Sequence, residues 1–173
     1  SIKLNVVALR GFNDDELMDF VDLTKENDIT VRFIELMPFD SHQIWKTGKF
    51  YGADHIVADI KNQIDELNPI GGSRTEHHIF RVNDYKGKVA VIPAYSRSLC
   101  GACNRIRITA DGKLLNCLYS QDETNLRDAM RMGKTDMMIK KMIYGTMKKK
   151  FKDGWEAQNQ GNDNRESMTQ IGG

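Results

Sequence analysis

The hydrophobic pattern begins with a period of two. Ser1-Ile-Lys-Leu-Asn-Val-Val-Ala-Leu9 reads as a strand, and its apolar run from Val6 to Leu9 has the form of a strand buried on both faces of a parallel sheet. Arg10-Gly-Phe-Asn13 turns the chain. Asn13 and Glu16 have capping-box spacing, and a helix over Asp14–Glu26 places Leu17, Phe20, Val21 and Leu23 or Thr24 on one side. Asn27-Asp28 ends it, and Ile29 to Leu36 is a second strong strand. Strand, helix and strand in such quick succession predict a βαβ crossover with parallel strands. A further helix is predicted over Ala53–Leu67, with Ile56, Ile60, Ile64 and Leu67 in one stripe. Asn68–Ser73 reads as a linker, and Glu76–Val82 and Lys88–Pro93 as a hairpin joined by Asn83–Gly87.

The pattern tightens again near the cysteines. Arg105-Ile-Arg-Ile-Thr109 alternates polar and apolar, Ala110-Asp-Gly-Lys113 supplies a reversal with Gly112 where φ must be positive, and Leu114-Leu115 leads back to Cys117. A short helix follows over Glu123–Met132, closed by Gly133. Thr135 or Asp136 caps another that runs to about Lys150, with Met138, Ile139, Met142, Ile143 and Met147 as its packing face. Lys148 to Lys150 complement the negative end of its dipole. Residues 151–166 read as a loose polar tail before Ile171-Gly-Gly173, a flexible tip small enough to thread into a site.

Composition narrows the class. At 173 residues, 40% hydrophobic and 28% charged, the chain is globular rather than disordered, and a net charge of +1 offers no electrostatic case for bulk nucleic acid or an anionic membrane surface. No apolar run is long enough to span a bilayer. Lys3, Arg32 and Glu35 are out of place in apolar strands. They are either paired in the core or, in a parallel α/β fold, aimed at a ligand site near the strands' carboxyl ends, where Met37-Pro38-Phe39-Asp40 also lies.

The chemistry concentrates in Cys100, Cys103 and Cys117, a C-x2-C-x13-C set holding every cysteine of the chain. This spacing fits a metal site in a reducing compartment better than a disulfide framework. Two readings stand side by side. One is a zinc site of three cysteines completed by His77 or His78, in a non-enzymatic binding module. The other is an iron–sulfur cluster with three protein thiolates and one iron left for a substrate atom, beside Arg105 and Arg107, whose guanidinium forks suit phosphate.

Taken jointly, C-x2-C-N-R-x-R-x-T-x-D-G-K with the third cysteine, the earlier Arg32-Phe-Ile-Glu-Leu-Met-Pro38, the later Leu126-Arg-Asp128 and the terminal Ile171-Gly-Gly173 resemble the GTP 3′,8-cyclase family of radical S-adenosylmethionine enzymes. The resemblance covers essentially residues 1–173. It implies an α/β fold: the C-terminal part of a (β/α)6 partial TIM barrel, with residues 1–40 as its last βαβ unit. Residues 41–173 would form an α+β extension that binds GTP and an auxiliary cluster.

The resemblance also implies particular site residues. Cys100, Cys103 and Cys117 would hold a 4Fe-4S cluster whose remaining iron takes the guanine base. Lys3, Arg32, Arg105, Ile106 and Arg107 would contact GTP, Met37 would touch S-adenosyl-L-methionine, and the tail Gly172-Gly173 would reach the active site. The implied function lies in molybdenum cofactor biosynthesis, as part of a lyase that cyclises GTP to 3′,8-cyclo-7,8-dihydro-GTP. The family's radical-generating C-x3-C-x2-C motif, which holds a second 4Fe-4S cluster, is absent from this sequence. The chain is therefore expected to be a C-terminal portion, inactive without the N-terminal part of the same enzyme. A homodimer, a downstream cyclic pyranopterin monophosphate synthase, and a cytoplasmic location (the mitochondrial matrix in a eukaryote) are implied likewise. The auxiliary-cluster domain of another radical enzyme is the nearest alternative.

Overall fold

Two stretches rich in β-branched residues, Ile2–Ala8 (β1) and Ile29–Glu35 (β2), lie parallel in the computed structural model, with Leu4 beside Val31 and Val6 beside Phe33. The structure describes residues 2–37, 47–73, 77–96, 103, 105–120, 122–152 and 156–157. It divides into one unit of residues 1–38 with 43–99 and another of residues 39–42 with 100–173.

In the larger unit the predicted crossover is present, with helix α1 (Leu17–Glu26) between β1 and β2. Burial in β1 alternates instead of running on. Val6 and Ala8 are buried, whereas Val7 is 46% exposed. One face of the sheet is packed against helices, so every second side chain of β1 enters the core and its neighbour does not. The core joins Val6, Ala8, Val31 and Phe33 to Leu17 and Val21 of α1, and the Phe20 and Phe33 rings meet edge to face at 6.2 Å.

The predicted capping box is not used. Asn13 Oδ1 accepts from the Leu9 amide at 2.8 Å and Asn13 Nδ2 donates to the Val7 carbonyl at 3.0 Å. With its side chain committed to the turn, Asn13 cannot cap, and α1 starts at Leu17 behind Glu16 with no side-chain cap. Thr24 is buried, its hydroxyl donating to the Val21 carbonyl at 2.7 Å, and Leu23 is exposed.

Helix α2 (Ala53–Lys61) is shorter than predicted and stops at Asn62. Leu67, expected as its last apolar residue, opens strand β3 (Leu67–Ser73) instead. The expected linker 68–73 is thus an edge strand, antiparallel to β4 (His77–Val82) with a register shift between Pro69 and Gly71. An edge position tolerates Pro69 because no ladder bond from its nitrogen is needed. Strand β5 (Lys88–Ile92) pairs antiparallel with β4, as the predicted hairpin requires, and parallel with β2. The sheet order is β1-β2-β5-β4-β3, a mixed sheet within an α/β unit. β5 sits directly beside β2 in the same sheet, and both belong to the unit of residues 1–38 with 43–99.

Two polar groups are drawn into this core. Tyr51 is 2% exposed; its hydroxyl donates to Asp59, and the Arg10 guanidinium lies 5.0 Å from its ring centre. Burial, with the Asp59 carboxylate beside it, pushes the Tyr51 phenol well above its usual range. Glu35, 1% exposed, ends β2. Its Oε1 accepts from the Ala53 amide at 2.6 Å and the Ser96 hydroxyl at 2.5 Å, and its Oε2 from the amides of Tyr95 at 2.8 Å and Ser96 at 2.7 Å. One carboxylate thereby ties the first turn of α2 to the turn that follows β5.

Glu35→Ala is expected to lower the stability of the larger unit by about 2 kcal/mol, since it leaves the buried Ala53 amide and the part-buried donors of Tyr95 and Ser96 without their acceptor. Glu35→Gln is expected to recover little, because its amide turns donors toward donors. Urea denaturation followed by circular dichroism measures both; a Gln variant as stable as wild type would count against this account.

Candidate functional site

The smaller unit is built around the reversal at Ala110-Asp-Gly-Lys113. Strands β6 (Arg107–Ile108) and β7 (Lys113–Leu115) pair antiparallel, Arg107 opposite Leu115, and β8 (Thr124–Asn125) adds to the other side of β7. Thr109 is buried and locks the turn: its hydroxyl donates to Asp111 at 2.5 Å and accepts from the Lys113 amide at 2.9 Å. The Gly112 carbonyl accepts from the Leu126 and Arg127 amides, both at 3.1 Å, at the start of helix α3 (Leu126–Arg131). Gly112 has φ +81, and a Cβ there would lie 2.6 Å from Cβ of Arg127. Only glycine meets both conditions.

Charges around this turn are matched locally. Lys113 contacts Glu123 at 2.8 Å and Asp111 at 3.3 Å, and these carboxylates hold its ammonium above the usual lysine range. The Thr109 hydroxyl, with Lys113 alongside, lowers the Asp111 carboxyl. Asp128 is lowered by Arg127, its partner at 2.8 Å. Among the described residues no carboxylate pairs with Arg105 or Arg107.

Helix α4 (Asp136–Lys148) starts at Thr135, whose hydroxyl caps the Met138 amide at 3.4 Å. Its predicted packing face is only partly covered: Ile139, Met142 and Ile143 are half-buried. Met138 and Met147 are 54% and 47% exposed, and the buried residue of the helix is Thr146. Contact with the hairpin is polar instead. Thr146 and Thr124 hydroxyls meet at 2.6 Å, and Asn116 Nδ2 donates to the carbonyls of Thr146 at 3.3 Å and Lys149 at 2.9 Å.

Cys103 and Cys117 are free, half-buried thiols at the open end of this hairpin. In the chain Cys103 precedes Arg107 by four residues and Cys117 follows Leu115 by two, so both lie beyond the same end of the paired strands. Lys150 Nζ donates there to the carbonyls of Arg105 at 2.6 Å and Asn116 at 3.0 Å. Asn116 is 2% exposed, and its Oδ1 has no partner among the described residues, a buried acceptor that costs about 1–3 kcal/mol if nothing meets it. Two soft sulfur donors at this end of the hairpin are of the type that ligates zinc or an iron–sulfur centre. Cys100, and the tail Gly172-Gly173, lie outside the described residues, and among the described residues no set of three metal-ligating side chains occurs.

In the larger unit, Lys3 pairs in register with Thr30, and Thr30 with Lys88; Arg32 lies between Asn5 and Ala90. Lys3, Arg32 and Lys88 share the sheet face opposite the one that carries Val31 and Phe33 to the helices. Lys3 is exposed, and Arg32 and Met37 are half-buried, Met37 just past the carboxyl end of β2. His78 is half-buried in β4 with its ring 6.4 Å from that of Phe80, and the side chain of His77 lies outside the described residues. Sequence reasoning passed over Asn116, Lys150 and Lys88. A polar residue between an apolar strand and a thiol was the available signal for Asn116; Lys150 was hidden in a run of lysines.

The family described as Molybdenum Cofactor Synthesis C matches residues 29–155. A GTP 3′,8-cyclase of Chlorobaculum tepidum is 43% identical over 173 residues, covering 100% of this chain and 52% of that protein. The GTP 3′,8-cyclase of Syntrophomonas wolfei is 36% identical over 180 residues, covering 99% of this chain and 53% of that protein. Molybdenum cofactor biosynthesis protein 1 of Homo sapiens is 35% identical over 150 residues, covering 86% of this chain and 23% of that protein. The chain spans about half the length of the curated GTP 3′,8-cyclases of the two bacteria.

The same substitution should have opposite signs at two glycines of the smaller unit. Gly112→Ala is expected to cost about 2–3 kcal/mol through positive φ and overlap with Arg127. Gly145→Ala, inside α4 with nothing within 4 Å of the new Cβ, is expected to stabilise by about 0.5–1 kcal/mol. Amide exchange at Leu114 and Leu115 for the first, and thermal unfolding for the second, read these changes.

Proposed function

The chain belongs to the Molybdenum Cofactor Synthesis C family, and from that premise we propose that it forms the substrate-holding portion of a GTP 3′,8-cyclase. The observation that carries this reading is the hairpin whose open end is flanked by two free thiols and by Arg105 and Arg107, neither of which has a carboxylate partner among the described residues. In this reading Cys100, Cys103 and Cys117 hold a 4Fe-4S cluster and leave one iron to the guanine base. Bound there, the cluster supplies a Lewis-acidic anchor for the base.

The protein's own residues do the rest by orientation and charge. Arg105 and Arg107 meet phosphate oxygens as bidentate forks, and Ile106 between them offers an apolar contact. Lys3 and Arg32, on one sheet face, neutralise the triphosphate. Met37 meets S-adenosyl-L-methionine beyond β2, and the tail Gly172-Gly173 reaches the reacting nucleotide. Radical initiation, with the second 4Fe-4S cluster, belongs to the N-terminal part of the full enzyme, and the sheet of the larger unit completes a (β/α)6 partial barrel with it. An anchored base and charge-paired phosphates together limit the motion of the bound nucleotide.

Anaerobic reconstitution tests the metal: about four irons and four sulfides per chain are expected. One tightly held zinc without sulfide overturns the reading in favour of a structural site. Replacing Arg105 and Arg107 together by Ala is expected to weaken GTP binding at least about tenfold, one charge-assisted hydrogen bond's worth or more, with iron content unchanged. Undiminished GTP binding would remove the substrate assignment.

A further inference from the structure

We propose that Lys150 is a positioning residue for the thiol hairpin, clamping its open end and fixing a cation beside the metal centre, an inference that rests on the cluster reading above. Its ammonium donates to two carbonyls on different arms of the hairpin, Arg105 at 2.6 Å and Asn116 at 3.0 Å. Arg105 follows Cys103 by two residues, and Asn116 directly precedes Cys117. The regular ladder ends at Arg107 and Leu115, so below it main-chain hydrogen bonds no longer hold the arms together. Lys150 sits where they stop. A compact ammonium with three donors can serve two carbonyls at once, which a neutral amide or hydroxyl does less well.

The clamp is itself anchored. Lys150 follows the C-cap residue Lys149, and its amide donates to the Met147 carbonyl at 3.2 Å. Asn116 answers from the hairpin by donating to the Lys149 and Thr146 carbonyls. Hydrogen bonds thus run in both directions between the end of α4 and the peptide that carries Cys117. The negative end of the helix dipole favours the cation at this place. A positive charge held next to a ligand's own peptide group favours the more negative, reduced state of an iron–sulfur centre.

The test uses the complete chain with Lys150→Met and Lys150→Arg. In the metal-free protein, Lys150→Met is expected to speed amide exchange at Arg107 and Leu115, the last pair of the ladder, at least about tenfold, with β1 and β2 unchanged, because clamp opening becomes a local event. After anaerobic reconstitution, Lys150→Met is expected to lower the reduction equilibrium about tenfold, which is 59 mV for a one-electron couple. Lys150→Arg, which keeps the charge, should restore it to within about threefold of wild type. Unchanged exchange at both amides overturns the clamp. An unchanged potential in Lys150→Met at equal iron and sulfide content overturns the charge effect. Failure of wild type to take up iron and sulfide falls on the cluster reading alone, and the metal-free exchange still decides the clamp.

Discussion

A carboxylate out of contact with water has to be surrounded by donors, and Glu35 has four. Its oxygens accept from the first turn of α2 and from the turn after β5, two segments far apart in sequence that the parallel strands bring to one end of the sheet. The parallel pairing of β2 with β5 makes this possible, since both strands then finish at the same edge. The helix N-terminus supplies an unpaired amide and a favourable dipole, so an anion at that place serves as a cap. Without it, the chain would leave β5 with the Tyr95 and Ser96 amides unmet, only a few residues before Cys100.

The smaller unit rests on a different balance. Its buried apolar side chains among the described residues are Leu114, Leu115, Leu126, Ala129 and Ala157. Such a core is thin, and small units of this kind commonly draw on a metal for stability. Here polar contacts carry much of the organisation: Thr109 in the turn, Gly112 against α3, Thr124 with Thr146, and Asn116 with the end of α4. A hairpin held by directional bonds keeps its geometry only while those bonds persist. This is where a bound centre that ties the thiols together would add most.

Much of the fold was legible because hydrophobic period reports which side is covered. The βαβ unit, the hairpin of β4 and β5, the cysteine hairpin with its Gly112 turn and the Thr135 cap all followed from that period or from turn chemistry. Misreadings arose where a residue had two competing uses. Asn13 spaces correctly for a cap but bonds into its own turn, and Leu67 continues the helical stripe of Ile56 and Ile60 yet pairs with Val82. Val7 is as apolar as Val6, and only the one-sided cover of the sheet tells them apart. Of the candidate site, the thiols and arginines were visible as a motif. Lys3 and Arg32 stood out as charges in apolar strands, and their shared face required the register.

Lys148, Lys149 and Lys150 show why composition alone could not finish the task. A helix dipole asks only for positive charge near the last turn, and by that criterion the three are interchangeable. Lys148 is the last residue of α4, Lys149 its C-cap and Lys150 lies just beyond, so three neighbours meet three surroundings. Lys148 lies 4.7 Å from the centre of the Tyr144 ring, one turn back on the same helix. Lys149 reaches Asp122 at 3.0 Å, an exposed pair of small energetic weight. Only Lys150 is directed at main-chain carbonyls on both arms of the hairpin. A carbonyl cannot be supplied by a change of partner side chain, so this contact depends on backbone path alone. The end of α4 must therefore lie within reach of a lysine side chain from both arms of the hairpin.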